Sequence, residues 1–316
     1  MTTRTLAAAV LPTPVPKPGP TPVTSRARAL IWPLLVGACV VGIVYADHGQ
    51  VRNPARGGMA LGMVVVVSVL EFWLPLSRRQ NLRLDRHSAR DVGHFALNIA
   101  AGILGAGAPL LLPWLLSAPV HSAGMHLIWP VEWPWFVQCL IAIAACDALG
   151  YAVHRLEHGV PAFWAYHVVH HDVPSLNILR GTREHFVTNL VRGVLVFGPL
   201  LCLGAPIEAL AAYQTLVITQ GSIAHGNLKL RFLPGLDRWL VTPPVHRLHH
   251  AADRSLSDSN FSAVSPIWDR LFGTFSDPAE HEPPAIGIEG DGVPDSFLGQ
   301  VAHPFGYWAR ALRVRR

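Results

Sequence analysis

Charge is what this sequence has little of. Only 14% of its 316 residues are charged and 51% are hydrophobic, giving a mean hydropathy of +0.33, whereas a soluble domain carries about a quarter charged residues. That shortage argues against a water-soluble globule and points to a membrane protein. The formal net charge of +5 is modest, and the arginines lie between apolar stretches and at the C-terminus, so nucleic acid has no basic stripe to bind. Cys39, Cys139, Cys146 and Cys202 all fall in apolar stretches without CxxC spacing, which leaves no thiol motif for a metal or a redox pair. There is no GxGxxG, no CxxCH and no HPGG-like core, so no electron-carrying module is fused to the chain. Strand signals are scarce and no internal repeat is present.

Apolar runs and histidine are what the chain does have. A helix crossing the hydrocarbon needs about 20 apolar residues, and Ala29 to Ala46, Met59 to Leu76, Val92 to Ser117 and Trp133 to Val153 qualify. Leu190 to Ile218 qualifies as a broken stretch, because "FGPLLCLGAP" interrupts it and suggests a re-entrant hairpin or two short helices. Residues 1–28 are proline-rich and read as a disordered tail without a signal-peptide core. Lys17, Arg26 and Arg28 precede the first run, and Arg78, Arg79, Arg83, Arg86 and Arg90 crowd the segment after the second. "APVHSAGMHLIWPVE", after the third, has no Lys or Arg. Positive residues stay on the cytoplasmic face, so this loop belongs outside and the segment from His154 onward belongs inside. The expectation is an all-α integral membrane protein with about four transmembrane helices plus a re-entrant or broken hairpin, and a cytoplasmic helical cap.

The cap holds "HRLEHGVPAFWAYHVVHH" at 154–171 and "HRLHH" at 246–250. His154 and His158 are four apart, so one helical face carries both. His167, His170 and His171 repeat that geometry at offsets of three and four, as do His246, His249 and His250. Eight imidazoles exceed the four ligands of one tetrahedral site, which implies two metal ions. Imidazole suits zinc, copper, nickel and iron, and ligand type alone leaves that choice open. Asp147, Tyr151, His154 and His158 form one helical stripe. A carboxylate within the membrane is costly without a partner, and metal-bound histidines usually donate their other N–H to such a group, so Asp147 is expected to serve the site in that way.

Taken together, "DALGYAVHRLEH", "FWAYHVVHH", "AHGNLKL", "TPPVHRLHH", "DSNF" and "WDRLFGTF" resemble the fatty acid hydroxylase and sterol desaturase superfamily of integral-membrane di-iron enzymes. The match runs from about Asp147 to Phe275. The resemblance implies two irons held by His154, His158, His167, His170, His171, His246, His249 and His250. His225, in "HGN" where the family commonly has "HSN", and His185, in "REHFVT", are further ligand candidates by the same resemblance. The sequence departs from the family at Phe186 and Thr188, beside His185, where a proline and a later glutamate are common. "WDRLFGTF" looks structural, with Asp269 a possible anchor for Arg270 or for a ligand histidine.

By this resemblance the protein is an O2-dependent hydroxylase or desaturase acting on C–H bonds of a bilayer lipid. Fatty acyl groups, sterols, ether lipids and carotenoids stay open as substrates. Electrons would come from a separate cytochrome b5-like protein, ferredoxin or reductase. The residues divide into a tail (1–28), N-terminal transmembrane helices (29–132), a fatty acid hydroxylase-like catalytic domain (133–276) and a C-terminal cytoplasmic tail (277–316). A membrane metal-binding or metal-transport protein is the competing class. It should carry ionisable residues along a path through the bilayer, and here Glu71 and Glu208 read as isolated. A haem cytochrome, the third class, needs single histidines on facing spans instead of doublets at helix ends.

Overall fold

The computed structural model describes residues 25–48, 54–77, 86–103, 115, 119, 128–230, 239–290 and 292–314. Among the described residues the architecture is all-helical: no strand forms, and the extended pairings are two isolated bridges, Pro75 with Leu228 and Ala251 with Ile286. The bundle is organised around α8 (Ile207–His225), which packs against α1 (Ser25–His48), α2 (Pro54–Trp73) and α4 (Trp135–Gly159). Small side chains make that packing possible. Ala209 and Ala212 of α8 and Ala142 and Cys146 of α4 are fully buried, and small residues let helix backbones approach closely. Tyr213, Leu210 and Leu216 fill the remaining space.

By length and composition α4 can cross a membrane, while Ala29–Gly42, Gly62–Trp73 and Phe186–Cys202 are shorter apolar stretches. The helix outlasts the apolar run that ends at Val153, as the stripe from Asp147 to His158 expects. It continues to Gly159, so His154 and His158 stand on the same rigid rod as the apolar segment. The broken stretch is two helices, α7 (Phe186–Cys202), with a π-helical turn at Gly193–Phe197, and α8. They are joined by a tight turn in which Gly204 takes φ +89°, a conformation that suits glycine.

Three expectations change. Ser25 already lies in α1, so helix begins inside the segment read as a tail; residues 1–24 lie outside the described residues. The run from Val92 begins inside α3 (Arg86–Ile103), which is not an apolar rod. It buries Asp91 between Arg180 and Arg183, each 3.6 Å away, and His94 on Gln300 at 3.0 Å. The segment 277–316, expected as a tail, contains α12 (Phe297–Val314). Phe297 stacks edge-on against His94, and Phe305 meets Tyr166, so this helix is part of the folded body. Arg90, counted in sequence as a topology signal, thus also holds the fold through Asp295, as Arg180 and Arg183 do through Asp91. The outer-loop positions 120–127 and the arginines at 78, 79 and 83 lie outside the described residues.

Nor is Glu71 isolated. Near the end of α2 it is buried and accepts the backbone N–H of Asn227 at 2.7 Å and of Ile178 at 3.3 Å. One carboxylate thereby ties α2 to the chain just after His225 and to the start of the short helix α6 (Ile178–Gly181). Replacing such an acceptor strands buried donors, at about 1–3 kcal/mol. Glu71→Ala is accordingly expected to lower the thermal unfolding midpoint of the purified protein, with Glu71→Gln, which keeps one acceptor, closer to wild type; equal midpoints for all three would refute the assignment.

Candidate metal centre

Four helix ends converge on one point. α4 ends at Gly159 and α5 (Pro161–His171) starts almost immediately, separated by Val160 in extended conformation with Pro161 at the first helical position. Proline there sacrifices no helical hydrogen bond, so the chain turns sharply and lays α5 beside the end of α4. α8 delivers His225 at its last residue, and the short α9 (Pro243–His249), again opened by proline, delivers the third motif.

Nine histidines form two groups. His154, His158, His167, His171 and His249 are one; His170, His225, His246 and His250 are the other, with the ligand nitrogens of each group within 4.8 Å of one another. Each HxxHH motif is divided. His167 and His171 join the first group while His170 joins the second; His246 and His250 join the second while His249 crosses to the first. The two motifs therefore pair reciprocally, and His171 and His250 stack at 4.4 Å between the groups.

The spacing within each group is that of ligands on one ion. Nε2 atoms are 3.1 Å apart for His154 and His167, and 3.2 Å apart for His158 and His171 and for His167 and His171. In the second group His225 is 3.1, 2.8 and 3.2 Å from His170, His246 and His250. Nitrogens about 2.1 Å from a shared metal lie about 3.0 Å apart on adjacent octahedral corners and about 3.4 Å apart on a tetrahedron.

Tautomers decide what these contacts are. A carbonyl can only accept, so an imidazole nitrogen bonded to one carries the proton. His154 Nδ1 donates to Phe261 O at 2.7 Å, His249 Nδ1 to Ser259 O at 2.9 Å, His170 Nδ1 to Arg183 O at 3.2 Å and His225 Nδ1 to Gly221 O at 2.8 Å. His158 Nδ1 faces Asp258 Oδ1 at 3.0 Å. In each neutral ring Nε2 is then a bare lone pair. His170 and His225 confront each other Nε2 to Nε2 in that state, and the buried Nε2 of His249 has no hydrogen-bond partner. Protons do not resolve the conflict, because burial pushes His167, His170, His171, His246, His249 and His250 well below the ordinary imidazole value. A metal cation between His170 and His225 would, and the ligand nitrogens of the first group lie close enough together to hold another.

The loop after α10 (Arg254–Ser257) orients the first group. Asp258, Ser259 and Phe261, three of the four residues of "DSNF", hold His158, His249 and His154 respectively. Asn260 braces the loop at φ +55° by accepting from Ser276 N–H and donating to the Ser276 and Val245 carbonyls. Asp269, at 0% exposure, accepts the N–H groups of Phe261 and Ser262 at 2.8 and 2.9 Å and the Thr274 hydroxyl at 2.7 Å. It thus anchors neither Arg270 nor a histidine directly; it fixes the peptide whose carbonyl holds His154.

On the other side stands a charged trio that the sequence reading missed. Arg192 donates to Glu157 at 2.6 and 3.0 Å and to Glu184 at 3.1 Å. Glu184 lies 3.5 Å from His170 Nδ1 and 3.7 Å from His167 Nδ1, facing one histidine of each group, and Glu157 is also 3.7 Å from His167. Burial pushes Glu184 up to about 7 against the pull of Arg192, and the Glu157 charge adds to the rise. The available signal was a carboxylate placed between two ligand histidines in "HRLEH", and another beside His185.

Two expected site residues fall elsewhere. His185 is in neither group: it caps α7 by accepting Val187 N–H on Nδ1, and its Nε2 donates to Val301 O at 3.1 Å. Both ring nitrogens are committed to protein, leaving none for a metal. Asp147 serves backbone instead of a histidine: its oxygens accept the N–H groups of Val264 and Ser265 at 3.1 and 3.2 Å. It anchors the segment leading to α11 (Ile267–Leu271) and holds no ligand.

The fatty acid hydroxylase family model matches residues 139–274, which contain both groups. The chain is 30% identical over 286 residues to ornithine lipid hydroxylase OlsE of Rhizobium tropici, covering 89% of this chain and 85% of that protein. It is also 30% identical over 196 residues to alkylglycerol monooxygenase of Danio rerio, covering 59% of this chain and 42% of that one. A match to very-long-chain aldehyde decarbonylase GL1-1 of Oryza sativa subsp. indica is 31% identical over 151 residues, covering 44% of this chain and 23% of that protein. No solved structure matches.

The placement of His225 and His185 makes opposite demands on two similar substitutions. His225→Ala should lower the bound metal per purified chain, since the second group loses the nitrogen nearest its other three. His185→Ala should leave metal content at the wild-type level. Elemental analysis of both variants decides it, and metal lost from the His185 variant alone would reverse the assignment.

Proposed function

Because the chain belongs to the fatty acid hydroxylase family, we propose that it is an O2-dependent di-iron enzyme that oxidises a C–H bond of a membrane lipid. The observation that carries this reading is the pair of neutral imidazole groups with convergent Nε2 lone pairs. Among the described residues both groups consist of imidazole alone; imidazole suits iron and copper among the redox-active metals, and the choice of iron rests on the family resemblance. Two irons bound there would supply activation of dioxygen and removal of hydrogen from an unactivated carbon. The names of the relatives, an ornithine lipid hydroxylase and an alkylglycerol monooxygenase, support hydroxylation of a lipid over desaturation.

The protein's own residues bind, orient and shield. Carbonyl and carboxylate partners fix the tautomer of five of the nine imidazoles, so those five Nε2 lone pairs are aimed before metal arrives. Glu157 and Glu184 place carboxyl groups beside His167 and His170, and Arg192 pairs with both. The Trp164 and Phe261 rings lie 5.0 and 5.1 Å from His158 and help to exclude water. Electrons come from a separate donor protein, such as a cytochrome b5-like protein, ferredoxin or reductase.

The membrane reading has a physical basis of its own. Leu34 and Val41 of α1, Val65, Val69 and Phe72 of α2, and Phe136 and Leu140 of α4 all face outward and are exposed. Apolar surface on that scale needs lipid or a partner to cover it. We place these helices across the bilayer as a multi-pass bundle, with the histidines on the cytoplasmic side by the arginine asymmetry.

Mass spectrometry of lipids from cells with and without the protein tests the reaction. The expected change is a gain of one oxygen in one lipid class, abolished by His249→Ala while the chain still accumulates in the membrane. A wild-type lipid profile identical to that of cells lacking the protein would overturn the proposal. Orientation is tested with single cysteines in a background lacking the native ones: at Ser122 the thiol should react with an impermeant reagent from outside, and at Ser255, an exposed position, only after permeabilisation. Labelling of both from one side would refute the topology.

A further inference from the structure

Beyond the imidazoles of the first group lies a cavity of about 420 Å³, bounded by α5, the 251–257 segment, the 287–289 loop and α12. Its floor is apolar, formed by Trp164, Ala165 and Ile288, and Arg254, Glu289 and Tyr307 add a cation, an anion and a phenol. A pocket of a few hundred Å³ with an apolar lining and a few polar groups is the usual form of a small-molecule site.

Two features show that the cavity is built. The 285–287 stretch is hydrogen-bonded to 250–252, from Ala252 N–H to Ala285 O at 2.8 Å and from Gly287 N–H to His250 O at 3.1 Å. Farther along, Val293 N–H donates to Asp172 at 2.9 Å, so the loop carrying Ile288 and Glu289 is pinned at both ends. Arg254 is also fixed: it donates to the His158 carbonyl at 2.9 Å and to Asp258 at 3.1 Å, and its guanidinium lies 4.9 Å from the Trp164 ring centre. Trp164 is the partition. It lines the cavity, and its ring is 5.0 Å from His158 and 5.4 Å from His171.

We propose that this cavity binds the polar end of the substrate, a zwitterionic headgroup whose anion meets Arg254 and whose cation meets Glu289, with the chain passing Trp164 toward the first histidine group. The choice of a lipid rests on the function proposed above. The headgroup chemistry rests on the two opposite charges lining one pinned cavity. An amphiphile held there has its charges at the rim and its apolar part against Trp164, Ala165 and Ile288.

Equilibrium binding to the metal-loaded full chain in an uncharged maltoside detergent tests this without turnover. The probes are a lysophosphatidylcholine, which is zwitterionic, and a monoacylglycerol of the same acyl chain, which is uncharged. Wild type should bind the first tighter, on the order of fivefold for one solvent-facing charge pair. Glu289→Lys, at an exposed position, should erase that margin and leave monoacylglycerol binding and metal content unchanged. Ala252→Trp, which fills the cavity, should weaken both probes. No preference in wild type, or a preference that survives Glu289→Lys, would overturn the proposal, and the surface variant keeps the test decisive if the filled one fails to fold. A wild-type protein that lacks iron or oxidised product but keeps the binding margin would instead count against the oxygenase reading.

Discussion

Everything around the metal centre follows from one electrostatic constraint: lone pairs on neutral imidazoles repel when they converge, and burial forbids the protonation that would relieve them. A fold that gathers nine histidines, eight of them buried, without cations would confront lone pairs at a cost. A ring whose Nε2 lone pair serves the centre must give its Nδ1 hydrogen to something else, and five of the nine rings have such a recipient. The Phe261, Ser259, Arg183 and Gly221 carbonyls and the Asp258 carboxylate are those recipients. The helix ends, the proline-opened turns and the DSNF loop can be read as devices that place acceptors behind rings.

The same constraint explains the buried charges. Two cations held there would need anions nearby, and nine neutral ligands would supply none. Glu157 and Glu184 provide them behind His167 and His170, with Arg192 between them. The π-helical turn at Gly193–Phe197 directly follows Arg192; such turns are frequent at functional sites, and this one interrupts α7 where it leaves the centre.

Much of this was legible in sequence. The HxxxH and HxxHH spacings identify the eight clustered histidines, because helical offsets of three and four place side chains on one face. How the motifs divide between the two groups was not legible, since it depends on how α5 and α9 are rotated toward each other. The stripe Asp147, Tyr151, His154, His158 is real, but its partners lie a hundred residues on in sequence: Asp147 meets Val264 and Ser265, Tyr151 meets Thr274 and His154 meets Phe261. A pattern within one helix cannot name the segment facing it. At "REH" the glutamate faces the centre and the histidine caps a helix, a one-residue distinction set by where α7 begins.

The division of ligands also gives four of the five first-group ligands a lower chain-entropy cost than the second group. His154, His158, His167 and His171 of the first group lie within one helix–turn–helix, closing a span of 17 residues, whereas His170 to His250 of the second spans 80. Closure cost rises with the logarithm of loop length, by about 1.4 kcal/mol between those two spans. The first group can assemble as a local unit soon after α5 leaves the ribosome. The second waits for α8 and α9, and His249 then joins the early group to the late one.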